Sequence, residues 1–212
     1  MGLLQSIEAL VSPTKCIFCR RILASDAEPV CEACMDLTRR DGVRYGTYFS
    51  RCVTPMVYEG SVAGAIKRFK FQDMPFYDAP LGKVLARCIR DSRLDYALLS
   101  WVPVSRKRRR KRGYDQAMLL ARAAGAQLGT EVTSTLEKTV HNAPQSDLSD
   151  PVQRRNNVRG VYRVPNPELV AGKRILLIDD VFTTGATMEE ASRTLLEAGA
   201  AEVAAAALAQ AP

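Results

Sequence analysis

The stretch "KRILLIDDVFTTGATMEEASRTLLEAGAAEVAAAALA", residues 173–209, leaves this chain few architectures. Ile175, Leu176, Leu177 and Ile178 form a short apolar run, consistent with a strand buried in a parallel sheet. Asp179 and Asp180 stand at its carboxyl end, and "VFTTGAT" follows. Met188 to Ala198 then has helical character and stops at Gly199, and Val203 to Leu208 reads as a second strand. Two strands joined through a helix make a β–loop–α–β unit, whose strands run parallel.

The loop has the chemistry of a monophosphate seat. Thr183, Thr184 and Thr187 offer hydroxyls, and Gly185 lets the backbone turn and approach a ligand closely. The amides of Thr184, Gly185, Ala186 and Thr187 can converge at a helix N-terminus, where the helix dipole also favours an anion. Asp179 and Asp180 would repel that phosphate, so they must face sugar hydroxyls or a magnesium shell. Ligands of open α/β sheets sit at the carboxyl ends of strands, where this cluster lies. A structural turn beside a chance acid pair is the alternative. Neither the Walker A pattern nor GxGxxG is present.

Four cysteines make a second pattern. Cys16 and Cys19 form one CxxC, Cys31 and Cys34 another, with eleven residues between them. Each CxxC supplies two thiolates from one tight turn, and two turns complete a tetrahedral Zn²⁺ shell. The shell would be coordinatively closed, hence structural. Forty residues have too little core to fold alone, and a metal would supply the missing stability. A reduced, metal-free thiol set is the alternative. Cys52 and Cys88 read as small buried apolar residues.

Charge is concentrated in one place. The chain has 30 Lys and Arg against 23 Asp and Glu, a net +7. Arg106 to Arg112, "RKRRRKR", holds seven consecutive cations, so the remainder balances to about zero. A concentrated patch points to a polyanion more than an even spread does. A solvated loop is the alternative. "MGLLQSIEALV" has helical spacing without a basic n-region or cleavage site, so it reads as a short amphipathic helix near 2–11. With no apolar stretch of membrane-spanning length, the expected location is cytoplasmic.

The other expected elements are a strand near 51–58, helices near 61–70 and 77–91, a strand at 95–104 and a helix at 114–128. A polar arm over 137–157 leads to "GVYRV". Strands alternating with helices give an α/β fold with a largely parallel sheet flanked by helices. The expected division is an N-terminal helix and ribbon over 1–45 and the α/β domain over 46–212. His141 reads as a surface histidine.

"ILLIDDVFTTGAT" resembles the phosphoribosyl pyrophosphate (PRPP) signature of type I phosphoribosyltransferases. "VPVSRKRRRKRGYDQAMLLARAAGAQLG" is similar to the VP…RGFNQA…LA segment of the ComF family. "NAPQSDLSDPVQRRNNVRGVYRV" resembles its Q-x-x-L…R-x-x-N-V-x-G-x-F segment. "VYEGSVAGAIKRFKF" matches its Y-x-G…I-x-x-x-K-F segment, and the paired CxxC its zinc ribbon. The resemblance covers nearly the whole chain.

It implies a type I phosphoribosyltransferase-like fold and PRPP with Mg²⁺ as ligand. By resemblance, Asp179 and Asp180 bind the ribose 2′- and 3′-hydroxyls, and Thr183, Thr184, Gly185, Ala186 and Thr187 hold the 5′-phosphate. A turn of Val104, Ser105, Arg106, Lys107 and Arg108 binds pyrophosphate, and Arg112 with Gly113 matches the family's RG. Asp179, Asp180 and Arg112 are then the catalytic candidates, with Arg108 and Arg112 on the leaving group. Arg109, Arg110 and Lys111 exceed what a small ligand needs and are the nucleic-acid candidates. Asp115 stands where the family has Asn and receives no ligand role; Lys138 stands where Arg is expected. The resemblance implies a competence setting, in which single-stranded DNA enters the cytoplasm and a helicase-like partner is present. An active transferase, a PRPP- or nucleotide-binding adaptor without turnover, and a nucleic-acid-binding module all fit that setting.

Overall fold

The computed structural model describes residues 14–24, 29–71, 75–140 and 159–212. The segment expected to be helical near 2–11 lies outside them, as do His141 and most of the arm over 137–157. Among the described residues the strands are β1 (Gly42–Arg44), β2 (Cys52–Thr54), β3 (Met56–Val57), β4 (Leu98–Trp101), β5 (Glu137–Lys138), β6 (Tyr162–Arg163), β7 (Arg174–Phe182) and β8 (Glu202–Gln210). The helices are α1 (Glu32–Met35), α2 (Gly60–Phe71), α3 (Asp78–Asp91), α4 (Arg106–Arg112), α5 (Gln116–Leu128) and α6 (Ala186–Glu197).

The main sheet runs β1-β2-β8-β7-β4, with β3 also paired to β8. Every pairing in it is parallel except β1 with β2. The strand expected at 51–58 is split at Pro55, which has no N–H for a ladder. Its register survives the break, because Val53 faces Ala206 and Met56 faces Ala209. A separate antiparallel hairpin, β5 with β6, holds "GVYRV".

Period-two alternation sorts the central strands between two cores. Ile175, Leu177, Val203, Ala205 and Ala207 face α6, meeting Met188, Ala191 and Leu195. Leu176, Ile178, Ala204, Ala206 and Leu208 face the other side, among residues of α2, α3 and α5. Ile175, Leu176, Leu177 and Ile178 are each at most 1% exposed. Burial at that level stabilises by roughly 1.5–3 kcal/mol per side chain before entropy. The fold is therefore the expected α/β type, a largely parallel sheet flanked by helices on both faces.

The described part of the cysteine-rich segment packs into the same core. Cys16, Ile17, Phe18, Val30 and Cys34 are buried with residues of α2 and α3. Arg68 of α2 donates to the carbonyls of Ile17 (2.6 Å) and Phe18 (3.2 Å) in the first CxxC turn. Arg20 donates to the Tyr77 hydroxyl at 2.7 Å.

Candidate functional site

Strand β7 is longer than its apolar run. It continues through Asp179, Asp180 and Val181 to Phe182 because β8 supplies a partner as far as Gln210. On its other side β4 ends at Trp101, opposite Ile178. The last four residues of β7 thus keep one paired edge and open the other toward the residues that follow β4. The helices after these strands pack on opposite faces, α6 on one and α5 on the other. That reversal creates the crevice in which open α/β sheets bind ligands.

Asp180 meets Lys70, whose Nζ lies 2.8 Å from Oδ1, both side chains under a fifth exposed. Asp179 accepts the Asp180 amide at 2.7 Å. Burial, together with the neighbouring Asp180 charge, pushes the Asp179 carboxyl up to about 8.

The loop after β7 turns at Gly185, whose φ of +77° favours glycine. A Cβ there would also lie 2.7 Å from Cζ of Phe182. Thr183 and Thr184 are exposed, Gly185 and Ala186 buried, and Thr187 half-buried. Gly185 caps α6 without a side-chain hydrogen bond. The first intrahelical bond there runs from the Glu189 amide to the Gly185 carbonyl. The earlier amides, those of Ala186, Thr187 and Met188, have no such bond to make, and that of Ala186 donates to Thr184 Oγ1 at 3.4 Å.

The basic run corrects one expectation. The turn expected over Val104, Ser105, Arg106, Lys107 and Arg108 becomes a helix from Arg106 onward. Ser105 caps it by accepting the Arg108 amide at 3.3 Å, and Gly113 ends it at a φ of +83°. Helical period then divides the seven cations. Arg108 and Arg112, four apart, are half-buried; Arg106, Lys107, Arg109, Arg110 and Lys111 are exposed. The Arg112 guanidinium stacks on Phe71, 4.8 Å from the ring centre. Burial lowers its pKa, against the opposing pull of Asp180.

Asp115 has a structural task. It is 4% exposed and caps α5 by accepting the Met118 amide (3.2 Å). Its second oxygen accepts the Val104 amide (3.0 Å) and so pins the chain leaving β4. Burial raises its pKa, while both amides work against that rise.

Sequence reasoning assigned no role to Lys70 or Lys138. The signal for Lys70 was present: it lies four residues after buried Ile66, on the edge of the buried face of α2. Lys138, on β5, lies over Tyr162 with Nζ 5.3 Å from the ring centre. A cleft of about 350 Å³ lies alongside, lined by Ser105, Arg106, Lys107, Lys138, Thr139 and the paired Glu137 and Arg163.

Cys16, Cys19, Cys31 and Cys34 come together as expected, their sulfurs all within 4.8 Å of one another. Cys19 and Cys31 are 3.6 Å apart. A tetrahedron with Zn–S bonds of ~2.3 Å has edges of ~3.8 Å, so the cluster fits a metal ion. Burial opposes the Cys16 thiolate, but the amides of Cys31, Cys19 and Phe18 outweigh it and bring the pKa down to about 7.

Comparison with known proteins adds identity to this geometry. A family model described as "Phosphoribosyl transferase domain" matches residues 112–212. Competence protein F of Haemophilus influenzae is 31% identical over 144 residues, 65% of this chain and 63% of that protein. DNA utilization protein YhgH of Escherichia coli K12 is 27% identical over 221 aligned positions, 92% of this chain and 96% of its own. Competence protein ComFC of Streptococcus pneumoniae is 31% identical over 69% of this chain and 62% of its own. Among solved structures, the glutamine PRPP amidotransferase of B. subtilis matches with a TM-score of 0.46 and 21% identity. That match covers 67% of this chain and 30% of the amidotransferase. Among the described residues, no helix is long and apolar enough to cross a membrane.

The Asp179 carboxyl fixes a pH dependence. An unfolded aspartate titrates near about 3.9, whereas Asp179 in the fold titrates at about 8. The folded state holds the proton more tightly, so its contribution to stability is complete below the unfolded pKa and is lost as pH rises toward 8. Asp179→Asn carries no such proton and should gain on the wild type across that window, becoming the more stable at pH 8. Urea unfolding at stepped pH checks this; parallel stability curves for the two proteins would refute it.

Proposed function

We infer that this chain, which belongs to the ComF family and carries its phosphoribosyltransferase domain, binds PRPP in the crevice between β4 and β7. The observation that carries the reading is the open edge of β7. There the acid pair and the start of α6 are nearly consecutive in the chain, and Asp180 acts electrostatically on the half-buried Arg112 of α4. Asp179 and Asp180 would take the ribose 2′- and 3′-hydroxyls. Thr183, Thr184, Gly185, Ala186 and Thr187 would take the 5′-phosphate. Val104, Ser105 and the first turn of α4, with Arg108 and Arg112, would take the pyrophosphate.

The donors fit magnesium in one way. Asp180 is already neutralised by Lys70, so the protein offers no ready cage, and the ion would arrive on the diphosphate. When bound it would neutralise the leaving group. The chain's own share is positioning: the acid pair orients the sugar, the arginines hold the diphosphate, and the helix start fixes the opposite end. Displacement at C1′ by a base nitrogen would then need no nucleophilic side chain. The relatives' names support a setting in competence and DNA utilisation; a cytoplasmic location and a helicase-like partner would go with that setting. The cysteine cluster would hold structural zinc.

A second reading rests on the exposed face of α4. Arg109, Arg110 and Lys111 point away from the small-ligand site, with no acidic residue in the helix. Single-stranded DNA is the polyanion that suits them in this setting.

Four measurements test these readings. Calorimetry with PRPP and Mg²⁺ should show binding that Asp179→Asn with Asp180→Asn abolishes in a folded protein; undiminished affinity would remove the ribose assignment. Pyrophosphate release with a panel of bases separates a transferase from an adaptor. Metal analysis of protein purified without chelator should find about one zinc per chain, and a value near zero removes the zinc assignment. For DNA, replacing Arg109, Arg110 and Lys111 by Gln should flatten the slope of log K against log salt by about 2, at roughly 0.7 per phosphate contact. An unchanged slope sinks the DNA reading of the helix.

A further inference from the structure

Lys70 and Asp180 form an ion pair that stability alone does not call for. Both side chains are less than a fifth exposed, with Nζ 2.8 Å from Oδ1. Withdrawing two charges from water costs about as much as their attraction returns, and an apolar pair of the same volume often does as well. Ordering a long lysine side chain adds an entropic cost. The pair nevertheless stands at the open edge of β7, where Asp180 has lost its β4 neighbour.

The last turn of α2 delivers this lysine with little freedom. Val62, Ala65, Ile66 and Phe69 bury one face of the helix. Arg68 is bound to the carbonyls of Ile17 and Phe18, and the Phe69 carbonyl accepts the Tyr114 hydroxyl. The charged groups around Asp180 come from several elements: it acts on Asp179 of β7, Arg112 of α4 and Asp115, which caps α5. An arginine in contact would grip a carboxylate bidentately. The contact goes to Lys70, while the Arg112 guanidinium lies against Phe71, the next residue of α2. Adjacent residues of one helix thus keep the acid and the arginine apart. A carboxylate has about four acceptor sites; the ammonium engages Oδ1 and leaves Oδ2 for a hydroxyl.

We propose that Lys70 is a positioning residue, which fixes the Asp180 carboxylate for the hydroxyls of a ribose and keeps it off Arg112. The proposal rests on the PRPP reading of the site and adds the residue through which the acid pair discriminates its sugar. Lys70 touches no ligand; it acts through Asp180.

The test uses the full chain, with ribose 5-phosphate and 2-deoxyribose 5-phosphate each competing against PRPP and Mg²⁺ in calorimetry. Wild type should prefer ribose 5-phosphate by about tenfold or more, as expected of a hydrogen bond to a charged acceptor. Lys70→Met should bring that preference below about threefold. Lys70→Arg keeps the charge and should stay within about threefold of wild type. Lys70→Gln keeps a donor for Asp180 but no charge; it should fold even where Met does not, and lower the preference at least about threefold. Adding Lys70→Met to Asp180→Asn should change the preference no further, because the lysine acts through that carboxylate. A Met or Gln variant with the wild-type preference overturns the proposal and marks a purely structural ion pair. A further fall on adding Lys70→Met to Asp180→Asn also overturns it, since the lysine then touches the ligand itself. Wild type that binds neither PRPP nor ribose 5-phosphate removes the PRPP reading and this one together. Wild type that binds both sugars equally removes the ribose assignment and, with it, this one.

Discussion

The unequal length of two ladders shapes everything at the strand ends. β8 accompanies β7 to Phe182, whereas β4 leaves it at Ile178. A strand paired on one side only is held straight yet accessible, and the residues there are Asp179 and Asp180. Had β4 continued, the acid pair would face a ladder. Had β8 stopped early, the pair would sit on an unsupported loop. The Ala-rich composition of β8 belongs to the same constraint. This strand lies between β7 and β2 with helices on both faces, and small side chains let those helices close over it.

Two carboxylates at such an edge repel each other, and each is met differently. Asp180 has Lys70 at 2.8 Å; Asp179 has the Asp180 amide and a raised pKa. Lys70 comes from the last turn of α2, and two residues earlier Arg68 grips the carbonyls of the first CxxC turn. One helix therefore touches the cysteine cluster and the acid pair together. Whatever orders the cysteine cluster also bears on the end of α2, which links that cluster to the crevice.

The parts read well from sequence are those where local pattern decides. The run Ile175 to Ile178, the glycine at 185 and the cysteine spacing each carry their own physical reason, and each took the expected form. The acid pair was placed just past a strand and lies within one, because β8 extends the ladder; that partner is not visible locally. The basic run read as a turn and is helical. Seven like charges argue against a helix, but Ser105 and Gly113 cap both ends and Phe71, from another helix, covers Arg112. Lys138 and Asp115 were seen as departures from a pattern, yet their surroundings come from residues far along the chain. For Asp115 the Val104 amide explains a carboxylate in that position without any ligand. The arm expected over 137–157 lies outside the described residues apart from its first four.

The helical period divides one run of cations between two environments. In a loop, seven neighbouring charges would share one environment. In α4 they are spaced by about 100° each, so Arg108 and Arg112 fall on one side and five others face solvent. Of the inward pair, Arg112 feels the charge of Asp180, and Arg108 that of Lys138. Of the outward five, Arg106 and Lys107 line the cleft beside Lys138, and Arg109, Arg110 and Lys111 are exposed in a helix without an acidic residue. Charge repulsion within a helix destabilises it by a few tenths of a kcal/mol per pair, a cost that any bound anion relieves. An anion on either face would therefore stabilise the same short helix.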